Sequence, residues 1–118
     1  MVYTNKVTWE ILRTFDTSTI TSASTYYKVG TPLIYPSFKL KMVNNSNILV
    51  TVSIDGVNDY DVCPATSFWL YDETQAQIST ANAPSIPAGT QISVRYGGYT
   101  STAGTGLVYL VSQYLIQV

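Results

Sequence analysis

Apolar and polar residues alternate with a period of two along much of this chain, beginning near its N-terminus. Between Lys6 and Arg13, the apolar residues Val7, Trp9 and Ile11 are separated by polar ones. Successive side chains of a β-strand point to opposite faces of the sheet. The pattern therefore predicts a strand that buries Val7, Trp9 and Ile11 on one face.

The clearest alternation lies at residues 48–55. One face of this predicted strand carries four aliphatic side chains, Ile48, Val50, Val52 and Ile54. The opposite face carries Thr51 and Ser53. Asp55-Gly56 follows directly and predicts a tight turn, because glycine readily adopts the positive φ that hairpin turns require.

Four strands are predicted in the second half of the chain, at residues 60–63, 67–71, 90–96 and 107–118. Within residues 67–71, Phe68 and Leu70 share one face while Trp69 and Tyr71 share the other, which predicts a strand covered on both faces. Residues 107–118 form a long final strand. Its side chains that face one way are expected to be Leu107, Tyr109 and Val111.

The strand patterns together predict an all-β fold with little or no helix. The stretch 17–27 is rich in Ser and Thr and predicts either an exposed edge strand or a polar connection. About eight short strands separated by turn signals are typical of a two-sheet antiparallel β-sandwich or a small barrel. A jelly-roll-like sandwich is a natural arrangement, and residues 1–118 are expected to form a single domain.

Composition and charge narrow the possible partners. Hydrophobic residues make up 46% of the chain and charged residues only 11%, against roughly 25% charged residues in an average globular protein. The six basic residues are scattered and the net charge is −1, so no nucleic-acid partner is expected. No apolar run is long enough for a signal peptide or a membrane span, so no membrane partner is expected. Low charge instead favours a protein that works inside an assembly.

Residues that commonly perform catalysis are sparse. The chain has no histidine and a single cysteine, Cys63, so histidine-based triads are excluded and Cys63 is expected to be a small buried residue. Three acids, Asp55, Asp59 and Asp61, lie close together, and Asp72-Glu73 forms a second group. A turn or solvated loop is the favoured interpretation of the first group, with a calcium site or paired catalytic carboxylates as alternatives. No cofactor or metal is expected.

Aromatic residues are the other candidates for a functional role. In strands they serve in the core, at a protein interface or as a platform for a sugar ring, and all three interpretations stay open here. The residues expected to contribute to an interface are Tyr3, Trp9, Tyr26, Tyr27, Trp69, Tyr71 and Tyr99.

The order of motifs over residues 31–112 resembles that of small virion proteins of tailed bacteriophages. The motifs that carry the resemblance are, in order, Leu40–Asn47, Val50–Asp59, Phe68–Asp72, Ile86–Ile92 and Ala103–Leu110. The members it resembles are the capsid decoration, or cement, proteins of short-tailed phages.

The resemblance implies a non-enzymatic protein made in the host cytoplasm and placed on the outer capsid surface of the virion. Its implied partner is the major capsid protein, whose lattice it would stabilise, and it is expected to be a homo-oligomer, with a dimer favoured. A tail, neck or head-completion component of a phage and a carbohydrate-binding β-sandwich module are the alternatives.

Overall fold

The computed structural model describes residues 5–72, 86–97 and 103–117. The strands within these ranges are β1 Asn5–Trp9, β2 Arg13–Asp16, β3 Tyr27–Lys28, β4 Lys39–Ser46, β5 Val50–Ser53, β6 Asp61–Cys63, β7 Ser67–Asp72, β8 Ser93–Tyr96 and β9 Gly106–Gln117. A short 3-10 turn at Thr17–Thr19 is the helical element within these ranges. None of the described helical residues belongs to a helix that is long and apolar enough to cross a membrane.

The strands form two antiparallel sheets, as the alternation predicted. The first sheet, sheet A, has the order β1-β9-β4-β7, with β2 continuing beside β9 on the same edge as β1. The second, sheet B, has the order β3-β8-β5-β6. When β1 and β2 are counted as one interrupted strand, this is the strand order of an eight-stranded jelly roll. The two-sheet β-sandwich is therefore confirmed.

The core lies between the two sheets. Leu40, Met42 and Leu110 of sheet A pack with Val50, Val52 and others of sheet B, and all five are buried. Their aliphatic side chains supply the apolar area whose removal from water stabilises the sandwich.

Cys63 lies in the same core, as expected. Burial disfavours the thiolate and raises the pKa of Cys63 to about 11. This thiol is therefore a packing group and a poor nucleophile at neutral pH.

The predicted buried face of the first strand is wrong. Val7, Trp9 and Ile11 are exposed, Ile11 at 86%. Val7 and Trp9 lie on the outer face of sheet A, which no described element covers, and Ile11 lies beyond the end of β1. The strand is also interrupted. Between the pairs Trp9↔Gln113 and Arg13↔Leu110, three residues of this strand oppose two of β9, which is a β-bulge.

The bulge changes which side chains point inward. The extra residue turns Arg13 to the inner face beside Leu110, and Arg13 is only 5% exposed. Glu10, whose backbone N–H donates to the Ser112 carbonyl at 3.0 Å, also faces inward. Ile11 and Leu12 are left facing solvent.

Two other predictions about strand faces need correction. Phe68 and Leu70 of β7 are exposed, so β7 is covered on one face only. Ile54 was predicted to share the face of Val50 and Val52, but it lies just beyond the end of β5 and is 41% exposed, and Thr51 and Ser53 are buried as well. Neighbouring strands and the 54–60 loop cover the polar face of β5.

In β9 the predicted face Leu107, Tyr109 and Val111 does lie on one side, but it is the half-buried outer side. The core side carries Val108, Leu110 and Ser112. The 17–27 stretch forms the 3-10 turn and a connection, the second of its two predicted alternatives, and only Tyr27 enters a strand.

One buried amide joins the two sheets at one end of the sandwich. Asn44 of β4 is fully buried, and its Nδ2 donates to the carbonyls of Ile48, Cys63 and Pro64 at 2.8, 3.0 and 3.2 Å. Its Oδ1 accepts from the Ser46 backbone N–H at 3.2 Å. We call this the Asn44 end.

Candidate interaction surfaces

A buried ion pair lies directly beneath the bulge. Arg13 Nη2 and Glu10 Oε1 are 2.7 Å apart, and the two side chains are 5% and 0% exposed. Ionised groups are rarely buried this completely unless partners satisfy them, since their desolvation is costly. Sequence spacing alone did not indicate this pair.

Both side chains also bind the backbone of residues 31–35. Arg13 Nε donates to the Thr31 carbonyl at 2.7 Å, and Nη2 donates to the Pro32 carbonyl at 2.9 Å. Glu10 accepts the backbone N–H groups of Ile34 and Tyr35 at 3.0 and 3.1 Å. The ion pair therefore fixes the bulge and the 31–35 loop against each other.

The same contacts determine how Glu10 titrates. Burial raises the pKa of Glu10, but hydrogen bonds from the Ile34 N–H, the Arg13 guanidinium and the Tyr35 N–H outweigh that effect. The pKa of Glu10 therefore lies below its ordinary value, and the ion pair stays charged at neutral pH.

Four apolar side chains stand above this ion pair, and we call them the apolar tip: Ile11, Leu12, Ile34 and Tyr35. Ile11 is 86% and Ile34 63% exposed, and Leu12 and Tyr35 are also exposed. A shallow groove of about 390 Å³ runs between the bulge and the loop. The charged groups of Glu10 and Arg13 are buried beneath it, with side chains 0% and 5% exposed. The apolar tip therefore presents an uncharged surface.

A second exposed apolar surface covers the outer face of sheet A. Phe68 is 61% and Trp9 59% exposed there, and Leu70 is exposed as well. A groove of about 460 Å³ crosses this face near the Asn44 end. Its lining includes Lys41, Val43, Phe68 and Tyr109.

The acids of the 55–61 loop are occupied by local hydrogen bonds. Asp55 accepts the backbone N–H groups of Val57 and Asn58 at 2.9 and 3.0 Å and the Tyr60 hydroxyl at 2.7 Å. These bonds hold the pKa of Asp55 far below its usual range. This is the geometry of an acid that organises a turn.

Asp59 is the centre of a small polar network on sheet B. It forms an ion pair with Arg95 and accepts from the Tyr26 hydroxyl at 2.5 Å and the Thr51 hydroxyl at 3.1 Å. The bonds from Arg95 and Tyr26 lower the pKa of Asp59 to about 2. The Arg95 guanidinium also lies 5.5 Å from the centre of the Tyr26 ring.

Asp61 bonds elsewhere, since its carboxylate accepts the indole N–H of Trp69 and the backbone N–H of Val62. Each of the three acids thus has its own set of partners. Among residues 5–72, 86–97 and 103–117, no group of three potential metal ligands is found. The turn interpretation fits Asp55, whereas Asp59 and Asp61 bond mainly to side chains outside the loop.

The predicted interface residues separate into three groups. Trp9 is exposed on sheet A, and Tyr26 is half-buried in the Asp59 network. Tyr27, Trp69 and Tyr71 pack against the core, Tyr27 with its ring centre 5.6 Å from that of Phe15. Tyr3 and Tyr99 lie outside the described residues, as does Glu73.

Period-two alternation does not identify the most exposed apolar residues, among them Ile11, Leu12, Ile34 and Phe68. One signal was available. Ile11-Leu12 places two aliphatic residues side by side after strict alternation, and such a break in period is what a bulge produces.

Comparison with protein-family models, with curated proteins and with solved structures finds no match to this chain. What the fold defines is a jelly-roll β-sandwich, and a sandwich of this kind hosts many functions. The resemblance to phage decoration proteins therefore stays a prediction.

Proposed function

We propose that this protein is a non-enzymatic structural protein of a phage virion that acts as a capsid decoration protein. It binds the outer surface of the head and stabilises the lattice of the major capsid protein. The proposal rests on the motif resemblance together with one structural observation. That observation is the apolar tip, an exposed uncharged surface held in place by the buried Glu10–Arg13 pair.

The structure of the tip indicates that the ion pair serves binding more than it serves stability. A buried ion pair contributes little net stability compared with apolar residues of the same size. Here its hydrogen bonds hold Ile11 and Ile34 in fixed positions facing solvent. A surface that is rigid before binding loses less conformational entropy on association, which raises affinity.

Such binding explains stabilisation without chemistry. A protein that binds the assembled lattice and not the free subunit adds RT ln(1 + [L]/Kd) to the stability of the assembly for each site. Because the tip carries no exposed charge, its affinity for the lattice is expected to change little with salt.

The test is to add purified protein to capsids that lack it and to measure copies bound per shell and the temperature at which the shells rupture. Wild-type protein is expected to bind in proportion to the major capsid subunits and to raise the rupture temperature. The double variant Ile11→Ser/Ile34→Ser should bind at least about tenfold more weakly, a loss of roughly 1.4 kcal/mol.

Val62→Ser is the matched control, since Val62 is also an exposed aliphatic residue but lies on sheet B. It should bind as the wild type does. Binding confined to a single ring of copies at one vertex would replace decoration by a neck or tail role. Equal binding by the double variant and the wild type would refute the part assigned to the apolar tip.

A further inference from the structure

The groove on the outer face of sheet A has a definite shape. Val43 of β4 pairs with Phe68 of β7 on one side and with Tyr109 of β9 on the other. Neighbouring strands are about 4.8 Å apart, so the two aromatic side chains form walls roughly 10 Å apart with Val43 as the floor between them. Such a space, about 460 Å³, admits an apolar side chain together with part of its backbone.

Lys41 gives this groove a positive charge. It lines the groove, and its cross-strand partners are Leu70 and Val111, both apolar. The ion pairs among the described residues are Glu10–Arg13 and Asp59–Arg95, so Lys41 has no carboxylate partner there. The groove is therefore suited to an apolar segment that carries a carboxylate.

The chain itself contains such a segment. The loop between β5 and β6, residues 54–60, exposes Val57 at 72% and Tyr60 at 56%. Asp55 holds the loop rigid through its bonds to Val57, Asn58 and Tyr60. The loop is preorganised with apolar side chains facing outward.

The loop is negatively charged where the groove is positive. Arg95 neutralises Asp59, whereas the hydrogen-bond donors of Asp55 and Asp61 are uncharged groups. Asp55, which lies within the loop, keeps its charge at neutral pH because its hydrogen bonds hold its pKa well below the usual range. Complementary charges of this kind give an interface its specificity and orientation.

The loop of one molecule is far from its own groove. The groove is lined by Asn45 and Ser67, at the Asn44 end of the sandwich. Strand β5 begins at this end with Val50 and runs away from it, and the 54–60 loop follows at the opposite end, since Val52 pairs with Asp61. A contact between loop and groove must therefore join two copies.

We propose that the protein associates with itself by inserting the 54–60 loop of one copy into the outer groove of sheet A of a second copy. Val57 contacts Phe68 and Tyr109, and the loop carboxylates face Lys41. The two surfaces of the contact differ, so it is heterologous. This inference does not rest on the capsid role, because it uses neither Ile11 nor Ile34.

The decisive experiment is complementation, measured by sedimentation velocity over a range of concentrations. Wild-type protein is expected to associate. Val57→Ser, which impairs the loop, and Phe68→Ser, which impairs the groove, should each weaken association at least about tenfold. An equimolar mixture of the two variants should regain association, because the groove of the first variant and the loop of the second are intact.

Ile34→Ser is the control for this experiment. It removes an exposed aliphatic side chain from the apolar tip and should associate as the wild type does while binding capsids more weakly. The two proposals therefore fail independently. The variants are expected to fold, since Val57 and Phe68 are both largely exposed. Thermal unfolding of each variant checks this.

A second measurement tests the charge. Association of the wild type should weaken as salt is raised, whereas Lys41→Met, which keeps the apolar stem, should associate more weakly at low salt and show a flatter salt dependence. A wild-type protein that stays monomeric would overturn the proposal. So would a Val57→Ser protein that associates normally, since sheet A would then pair with itself, or a mixture that fails to recover.

Discussion

Arg13 is the residue on which the structure around the bulge depends. Its guanidinium bonds to Glu10 and to the carbonyls of Ile11, Thr31 and Pro32. Gly30 lies close against it, because a Cβ at Gly30 would come within 2.7 Å of the Arg13 side chain, and its φ of +67° favours glycine in any case. At this scale the candidate site depends on one planar group with several donors.

Replacing Arg13 therefore has a large expected effect. Arg13→Met leaves the Glu10 carboxylate buried without its charge partner and should lower the free energy of unfolding by about 3–5 kcal/mol. Urea denaturation measures this. Glu10→Gln/Arg13→Met should be less destabilised than Arg13→Met, because no buried charge is left alone, and the reverse order would contradict the assigned pairing.

Asp59 makes stability depend on pH. Its pKa is lowered to about 2 in the folded protein from an ordinary value of 3.8, so the carboxylate stabilises the fold above pH 3.8 and that contribution is lost as the pH falls through 2. Asp59→Asn should thus be less stable than the wild type at pH 5, with a difference that shrinks towards pH 2. Thermal melts across this range measure it, and a constant difference would argue against the Arg95 pair.

At the scale of elements, the bulge between β1 and β2 is what creates the apolar tip. It brings Glu10 and Arg13 to the same inner face and leaves Ile11 and Leu12 outside. Without the extra residue, strict alternation would place the two charged side chains on opposite faces. The ion pair and the exposed tip are therefore consequences of a single inserted residue.

Deleting Leu12 tests this directly. Removal of one residue restores continuous pairing with β9, so the ion pair cannot form, and a loss of about 3–5 kcal/mol is expected, as for breaking a buried pair. Leu12→Ser keeps the bulge and should change stability by less than about 0.5 kcal/mol. Combined with Arg13→Met, the deletion should add little, since both remove the same interaction.

At the scale of the whole molecule, the two sheets are held in place by the core and by polar links such as Asn44. Its amide binds the Ile48 carbonyl, just before β5, and the Cys63 and Pro64 carbonyls, at the end of β6. The Asn44 end of the sandwich is thereby fixed, and the groove beside Asn45 and Ser67 is built on it.

Asn44→Ala should lower the free energy of unfolding by about 3 kcal/mol, because it leaves buried carbonyls without donors. Asn45→Ala, on the same strand but exposed, is the control and should stay within about 0.5 kcal/mol of the wild type. Chemical denaturation distinguishes the two, and equal effects would mean that the amide bonds are not what holds this end.

The sequence by itself determined the fold class, because alternation with a period of two requires strands whatever their partners are. It also excluded a histidine triad, since the chain has no histidine. The short polar residues around Asp55 indicated a turn for a local reason, namely that their side chains bond to neighbouring backbone groups.

Which face of each strand lies inside was decided by tertiary structure alone. Period-two alternation shows that Val7 and Trp9 share a face, but not whether a second layer covers that face. Phe68 is exposed and Trp69 packs on the core for the same reason. The bulge, the buried Glu10–Arg13 pair and the apolar tip depend on how β1 and β2 pair with a strand about a hundred residues later, and such long-range register is set by packing and not by local preference.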